Sequence, residues 1–191
     1  MTTRTPRRSR PRLRLAAITT AVVLLATAAP PWPAPRADSG QVRPLASFPT
    51  EKIAIETPGA RRHVFRAWRA DEPDTRAQGL MFVREMPADA AMIFVYDPPE
   101  PVSMWMKNTF IPLDMLFVDA RGCVVRIVER TRPLSVANIE SGVPVAIVVE
   151  LKGGTAAALG LRPGQLLLRP DASWPQRGAD ARPCTPSNAI R

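Results

Sequence analysis

One stretch of the sequence, residues 103–119, places polar side chains of several kinds inside an otherwise apolar run. They are Lys107, Asn108, Thr109 and Asp114, and Trp105 lies beside them. Burying a charged or amide group without a partner costs free energy, so these side chains need either internal partners or a ligand. An ammonium group and an amide can hold an anionic or polar group, and an indole ring can form an apolar wall beside it.

Two interpretations of this stretch follow. In the first, Lys107, Asn108 and Thr109 brace the connection between two buried strands, and Asp114 pairs with Lys107 or Arg84. In the second, Arg84 joins them around a small polar or anionic ligand, or a segment of a partner protein. The protein would then work by recognition rather than turnover, with Arg84 and Lys107 as the positive charges. Arginine's planar fork suits a carboxylate or phosphate.

A hydrolase is one alternative. Glu150 is a second carboxylate in an apolar context, within the sequence AIVVELKGG. If Glu150 and Asp114 faced each other, they could act as acid and base, as in glycoside hydrolysis. This alternative depends on the two carboxyl groups meeting in the fold.

A copper site is another alternative. Met104 and Met106 would share one face of a strand, and soft thioether ligands suit Cu(I). His63, the only histidine, could add a nitrogen. Methionine also fills irregular gaps in apolar cores, however. A single histidine argues against multi-histidine zinc sites and against a Ser-His-Asp triad, and no phosphate-binding glycine loop is present, so we expect no cofactor.

The elements that position these residues are mostly strands. Period-two alternation and turn residues favour many short strands with one or two short helices, and so a mainly β, sandwich or barrel-like single domain. A capping threonine, Thr155, begins the second helix. The predicted strands are Lys52–Thr57, His63–Ala70, Ala91–Tyr96, Ser103–Asn108, Leu113–Asp119, Cys123–Thr131, Ala146–Leu151 and Gly164–Arg169, and the predicted helices are Pro73–Phe82 and a short alanine-rich one ended by Gly160.

The two ends of the chain differ from its middle. Residues 1–29 combine a basic start with a short uncharged apolar core, which is typical of a signal peptide for export to the periplasm or beyond. An uncleaved membrane anchor is the alternative. Residues 30–50 predict a proline- and alanine-rich linker, residues 51–170 the folded domain, and residues 171–191 a disordered tail.

Charge and cysteine content narrow the class of protein. Six arginines fall in the first 15 residues, and the rest of the chain carries 20 basic against 17 acidic side chains. This near balance gives no reason to expect a nucleic-acid partner. Cys123 and Cys184 could pair in an oxidising compartment, but two cysteines do not establish a disulfide.

Two motifs carry a family resemblance. One is Gln78-Gly79-Leu80-Met81 with Arg84, and the other runs from Trp105 to Asp114 as WMKNTFIPLD. Together they resemble the DUF192 family over residues 52–169. The resemblance implies a compact, mainly β domain, often exported in bacteria, and no established reaction. Carried over by position, it implies these site residues: Arg84, Trp105, Lys107, Asn108, Thr109 and Asp114.

Overall fold

A computed structural model describes residues 42–169 and residue 184. Seven strands and two short α-helices account for most of it, and a short 3-10 helix, Leu45–Ser47, precedes the first strand. In chain order the elements are β1 (Thr50–Thr57), β2 (Arg61–Ala70), α1 (Pro73–Gln78), β3 (Ala90–Met104), β4 (Leu113–Val118), β5 (Val124–Val128), β6 (Ile139–Lys152), α2 (Thr155–Leu159) and β7 (Leu166–Leu168).

All seven strands belong to one sheet, with the order β5-β4-β6-β3-β2-β1-β7. Neighbouring strands are antiparallel except β2 and β3, which are parallel and joined by the connection that contains α1. The sheet curls so that its two edges meet, because Cys123 beside β5 bridges Leu166 in β7. The mainly β, barrel-like prediction with one or two short helices is therefore confirmed, in the form of a half-barrel made of a single sheet.

The curled sheet buries an apolar core on each face. The inner core contains residues from every strand, including Ile53, Phe65 and Ile93, and α2 contributes Ala156. The outer core covers the central strands and is rich in methionine. Its buried residues include Met86, Met92, Met104, Met106 and Met115. Two faces of one sheet are each buried, so successive residues of β4 and β6 point into different cores.

Most predicted elements exist with changed bounds, and three details were wrong. Ser103–Asn108 is not a separate strand, since β3 continues through Pro98 and Pro99 to Met104. The helix predicted over Pro73–Phe82 ends at Gln78. Thr155 does not cap α2 through its side chain.

The chain termini are described only in part. The predicted leader, most of the predicted linker and the predicted tail lie outside the described residues, apart from Cys184. The end of the linker packs against the domain, because Phe48 is buried in the outer core. Cys184 forms a disulfide with Cys123, with 5.4 Å between their Cα atoms, which answers the pairing that the sequence left open. Within residues 42–169, no helix is long and apolar enough to cross a membrane.

Candidate functional site

The polar stretch forms the junction of three loops at one end of the sheet. The loop after β3 accepts hydrogen bonds at Asn108 O from Phe82 N (2.8 Å) and at Thr109 O from Leu134 N (3.1 Å). Asn108 has a φ of 58°, a conformation that asparagine adopts more readily than most residues. Its Nδ2 also lies 3.9 Å from Met81 Sδ. The backbone carbonyls of Asn108 and Thr109 therefore connect the three loops.

Asp114 has a structural role that the sequence did not indicate. Its side chain is fully buried and accepts hydrogen bonds from three backbone N–H groups. Oδ1 accepts from Arg130 (2.7 Å) and Gly154 (3.0 Å), and Oδ2 accepts from Ala156 (2.7 Å). These donors include the first turn of α2, where N–H groups have no partner within the helix. Asp114 thus caps α2 from β4, and backbone amides take the place of the predicted partners Lys107 and Arg84.

Asp114 and Glu150 lie on opposite faces of the sheet. In the pairing of β4 with β6, Asp114 is opposite Leu151 of the inner core, whereas Glu150 is opposite Met115 of the outer core. Adjacent residues of a strand point to opposite faces, so the two carboxyl groups are separated by the sheet itself. The paired-carboxylate arrangement required for the hydrolase alternative is therefore wrong.

Glu150 instead lines a small pocket at the edge of the outer core. Met92 and Met115 are its neighbours across the sheet, and its side chain is only 3% exposed. Its Oε2 has no hydrogen-bond partner among the described residues. The pocket has a volume of about 20 Å3, enough for one water-sized group such as a single oxygen of a ligand. We call it the Glu150 pocket; its lining includes Arg76, Gln78, Gly79, Met81, Met104, Trp105, Lys107, Thr109 and Glu150.

The apolar surroundings change the ionisation of Glu150. Burial disfavours the charged carboxylate and raises the pKa of Glu150 from 4.5 to about 8. Glu150 is therefore protonated at neutral pH and can donate a hydrogen bond into the pocket. Burial also raises the pKa of Tyr96 to about 12. The nearby charge of Arg76 lowers this pKa and the charge of Glu150 raises it, both by less than burial does.

Two cations face the Glu150 pocket. The ammonium of Lys107 lies 5.8 Å from the centre of the Trp105 ring, and both side chains are exposed at the mouth of the pocket. Arg76 in α1 also lines the pocket, and its guanidinium donates to the backbone oxygen of Val95 at 3.0 Å. A neutral carboxyl group therefore lies in a pocket with a positively charged lining.

Arg84 lies in a different place from the one predicted for it. It lines an open cleft of about 450 Å3 together with Ile111, Pro112 and Lys152. Its guanidinium stacks on Phe110, 5.0 Å from the ring centre. The cleft is next to the polar stretch, because Ile111 and Pro112 follow directly after Thr109 and Phe110. Arg84 therefore does not line the Glu150 pocket.

The thioether sulfurs of the proposed copper pair are already engaged. Met106 Sδ accepts a hydrogen bond from Thr131 at 3.1 Å, and Met104 Sδ lies 3.7 Å from the hydroxyl of Tyr96. His63 lies on the face of β2 that lines the inner core, away from both methionines. Among residues 42–169 and 184, no three histidine, cysteine or acidic side chains are placed to hold a metal ion.

The structure thus separates the six predicted site residues. Trp105, Lys107 and Thr109 line the Glu150 pocket, Arg84 lines the neighbouring cleft, and Asn108 and Asp114 hold the surrounding backbone. Sequence reasoning had noticed Glu150 but assigned it to the wrong partner. It missed Arg76, whose only signal was its place in a short helix directly before the Gln78–Met81 motif.

Comparisons with known proteins agree with this fold. The family model of DUF192, described as "Uncharacterized ACR", matches residues 54–168. A crystal structure from Sinorhizobium meliloti 1021, called a "putative transcription regulator", is 42% identical, with a TM-score of 0.63, over 64% of this chain and 95% of that one. A protein of unknown function from Novosphingobium aromaticivorans DSM 12444 is 34% identical, with a TM-score of 0.63, over 67% of this chain and 91% of that one.

No curated protein matches the chain. The family match spans more than half of the sequence and runs from within β1 to the end of β7. The chain belongs to the DUF192 family, for which no activity is established.

Proposed function

We propose that this member of the DUF192 family is an exported binding module that captures a small anionic ligand, one bearing a carboxylate, at the Glu150 pocket. Lys107 supplies the positive charge at the mouth, Trp105 supplies an apolar wall, and the protonated Glu150 donates a hydrogen bond at the base. The chemistry is recognition, and no covalent step is involved.

The observation that carries this proposal is the unpaired oxygen of Glu150. A buried polar atom without a partner costs about 1–3 kcal/mol. A sequence under selection only for stability would more readily place an apolar residue between Met92 and Met115. The oxygen lines a pocket that a small polar group could enter, and a bound ligand would provide the missing hydrogen bond.

The charge of the pocket favours an anion over a cation. Arg76 and Lys107 are positively charged, and Glu150 is neutral at neutral pH because of its raised pKa. A ligand carboxylate could accept from the Glu150 hydroxyl and from the Lys107 ammonium at once. A cationic ligand would have to approach two like charges and would gain a counter-charge only by removing the proton from Glu150.

The proposal that the protein is exported has separate support. The Cys123–Cys184 disulfide is of a kind that persists in oxidising compartments. The leader-like composition of residues 1–29 is consistent with the same location.

A binding measurement with acetate tests the pocket. We expect millimolar acetate, and not methylammonium, to raise the thermal unfolding temperature of the protein. Lys107→Ala should abolish this shift while leaving the unfolding temperature without acetate nearly unchanged, because Lys107 is exposed and its substitution leaves no buried group unpaired.

Two further variants make this test specific. Lys52→Ala removes an exposed lysine from β1, outside the pocket, and should leave the acetate shift intact. Glu150→Gln keeps a donor at the base, so it should still bind acetate but should lose the weakening that the wild type shows as the pH rises past about 8. An acetate shift that survives Lys107→Ala, or one that disappears in Lys52→Ala, would contradict the assignment of the pocket.

A further inference from the structure

The exposed apolar side chains of this protein are concentrated on one surface. Of seven large apolar side chains that are exposed among the described residues, five lie on the three loops that meet at the polar stretch. We call this set the loop surface, and it consists of Phe82, Trp105, Phe110, Leu134 and Val136. Val136 is the most exposed of them, at 71%. Exposed apolar side chains concentrated in this way mark an interaction site.

The three loops, residues 80–86, 105–112 and 129–138, form one structural unit. Phe82 N donates to Asn108 O (2.8 Å), Met106 N donates to Ser135 O (2.9 Å), and Leu134 N donates to Thr109 O. The rings of Phe82 and Phe110 also pack edge to face, with 6.0 Å between their centres. The loop surface is therefore held in place by backbone contacts, so its side chains are presented together.

Two of the exposed apolar residues in these loops have a backbone conformation that costs free energy. Phe82 has a φ of 66° and Leu134 a φ of 63°, in the left-handed region that residues with large side chains rarely adopt. Four of the five non-glycine residues with positive φ in the described part of the chain lie in these loops. Such conformations cluster at functional sites.

The charges around the loop surface are mainly positive. Its loops carry four basic side chains and two acidic ones: Arg84, Lys107, Arg130 and Arg132 against Glu85 and Glu129. Two of the cations lie over aromatic rings of the surface itself, Arg84 over Phe110 and Lys107 over Trp105. Aromatic rings beside lysine and arginine are the combination found where proteins contact the headgroup region of a membrane.

We infer that the loop surface docks on an anionic lipid membrane, an interaction that does not use the buried Glu150, although Trp105 and Lys107 lie both on this surface and at the mouth of the Glu150 pocket. The apolar side chains enter the headgroup boundary and the cations contact lipid phosphates. A lipid surface fits better than a peptide because the five apolar side chains are exposed and do not line a groove large enough for a peptide. The clefts of about 450, 390 and 270 Å3 include none of these five side chains, although Arg84 and other residues of the loops line the first cleft.

Vesicle flotation tests this inference. The protein used is residues 40–191, which contain all seven strands and both apolar cores and omit residues 1–39. It should float with vesicles of phosphatidylcholine and phosphatidylglycerol and remain unbound with phosphatidylcholine alone. The double variant Leu134→Asn, Val136→Ser should reduce the bound fraction about tenfold, because it removes two of the inserted apolar side chains while asparagine tolerates the left-handed backbone.

Val64→Ser is the matched control, since Val64 is 59% exposed on β2, outside the three loops, and its loss should leave flotation unchanged. Raising the salt concentration should weaken binding by screening the cations. A protein that floats with neither vesicle overturns the inference and leaves a protein partner as the occupant of the loop surface. Equal flotation with both vesicles, or equal losses in the double variant and the control, also overturns it.

Discussion

The free energy of unfolding should fall by several kcal/mol between about pH 5 and about pH 8 in the wild type, and Glu150→Gln should remove most of that fall. The cause is the raised pKa of Glu150. The folded state keeps this proton up to a pH of about 8, whereas the unfolded chain releases it near pH 4.5. Each rise in pH between these values therefore favours the unfolded state.

The size of the effect follows from the separation of the two pKa values. One pKa unit corresponds to about 1.4 kcal/mol, so a rise from 4.5 to about 8 sets an upper limit of roughly 5 kcal/mol. Arg76 and Lys107 line the same pocket, but burial is the cause of the raised pKa of Glu150, and Tyr96 stays neutral throughout this range. Above a pH of about 8 Glu150 is deprotonated in both the folded and the unfolded state. Its contribution to the free energy of unfolding then no longer changes with pH.

Urea denaturation over this pH range is the measurement, with wild type, Glu150→Gln and Glu100→Gln compared at each pH. Glu100 is an exposed glutamate of β3 and serves as the matched control. Its variant should show the same pH dependence as the wild type. Parallel curves for wild type and Glu150→Gln would mean that Glu150 ionises normally in the folded protein, and the proposed hydrogen-bond donor would then be lost.

The strands were predictable because their signal is local. Alternation in Lys52–Thr57 and His63–Ala70, with Pro58-Gly59 between them, gave the first hairpin close to its observed bounds. The length of β3 was not predictable in the same way. Prolines at positions 98, 99 and 101 usually interrupt a strand, and here β3 passes them with shifts in its register against β6.

The site was predictable only as a location. Unusual polar residues in an apolar run identified the corner where the loops meet, but their roles depend on residues distant in sequence. The Glu150 pocket combines α1, the end of β3 and β6. The partners of Asp114 are up to 42 residues away along the chain. Alternation along a strand shows which residues share a face, but not which face packs against which core. Because this sheet buries both faces, apolar residues occur on both and alternation alone could not place Asp114 and Glu150.

Asp114→Ala should destabilise the protein by about 3–5 kcal/mol, the range for removing one partner from a buried, charge-assisted network. The carboxylate satisfies three backbone N–H groups, and alanine would leave all three buried without an acceptor. Gly153 sits so close to Pro112 that a Cβ there would lie 2.8 Å from Pro112 O. The backbone around Asp114 therefore has little room to shift and repair the loss.

Asp119→Ala is the matched control for this measurement. Asp119 also accepts hydrogen bonds from two backbone N–H groups, those of Arg121 and Cys123, but it lies in a turn with some access to water. Its loss should cost about 1 kcal/mol in urea denaturation. Equal losses for Asp114→Ala and Asp119→Ala would show that burial of the Asp114 network adds nothing to stability.

Asp114→Asn then separates the effect of Asp114 on stability from ligand binding at the Glu150 pocket. Asparagine keeps one acceptor oxygen and loses the charge, so part of the population should remain folded at moderate temperature. Because Asp114 faces the inner core and the Glu150 pocket opens on the other side of the sheet, folded Asp114→Asn should bind acetate as the wild type does. If acetate binding were lost with the fold intact, the two faces would be coupled, and the polar stretch would act as one unit rather than as a cap and a pocket.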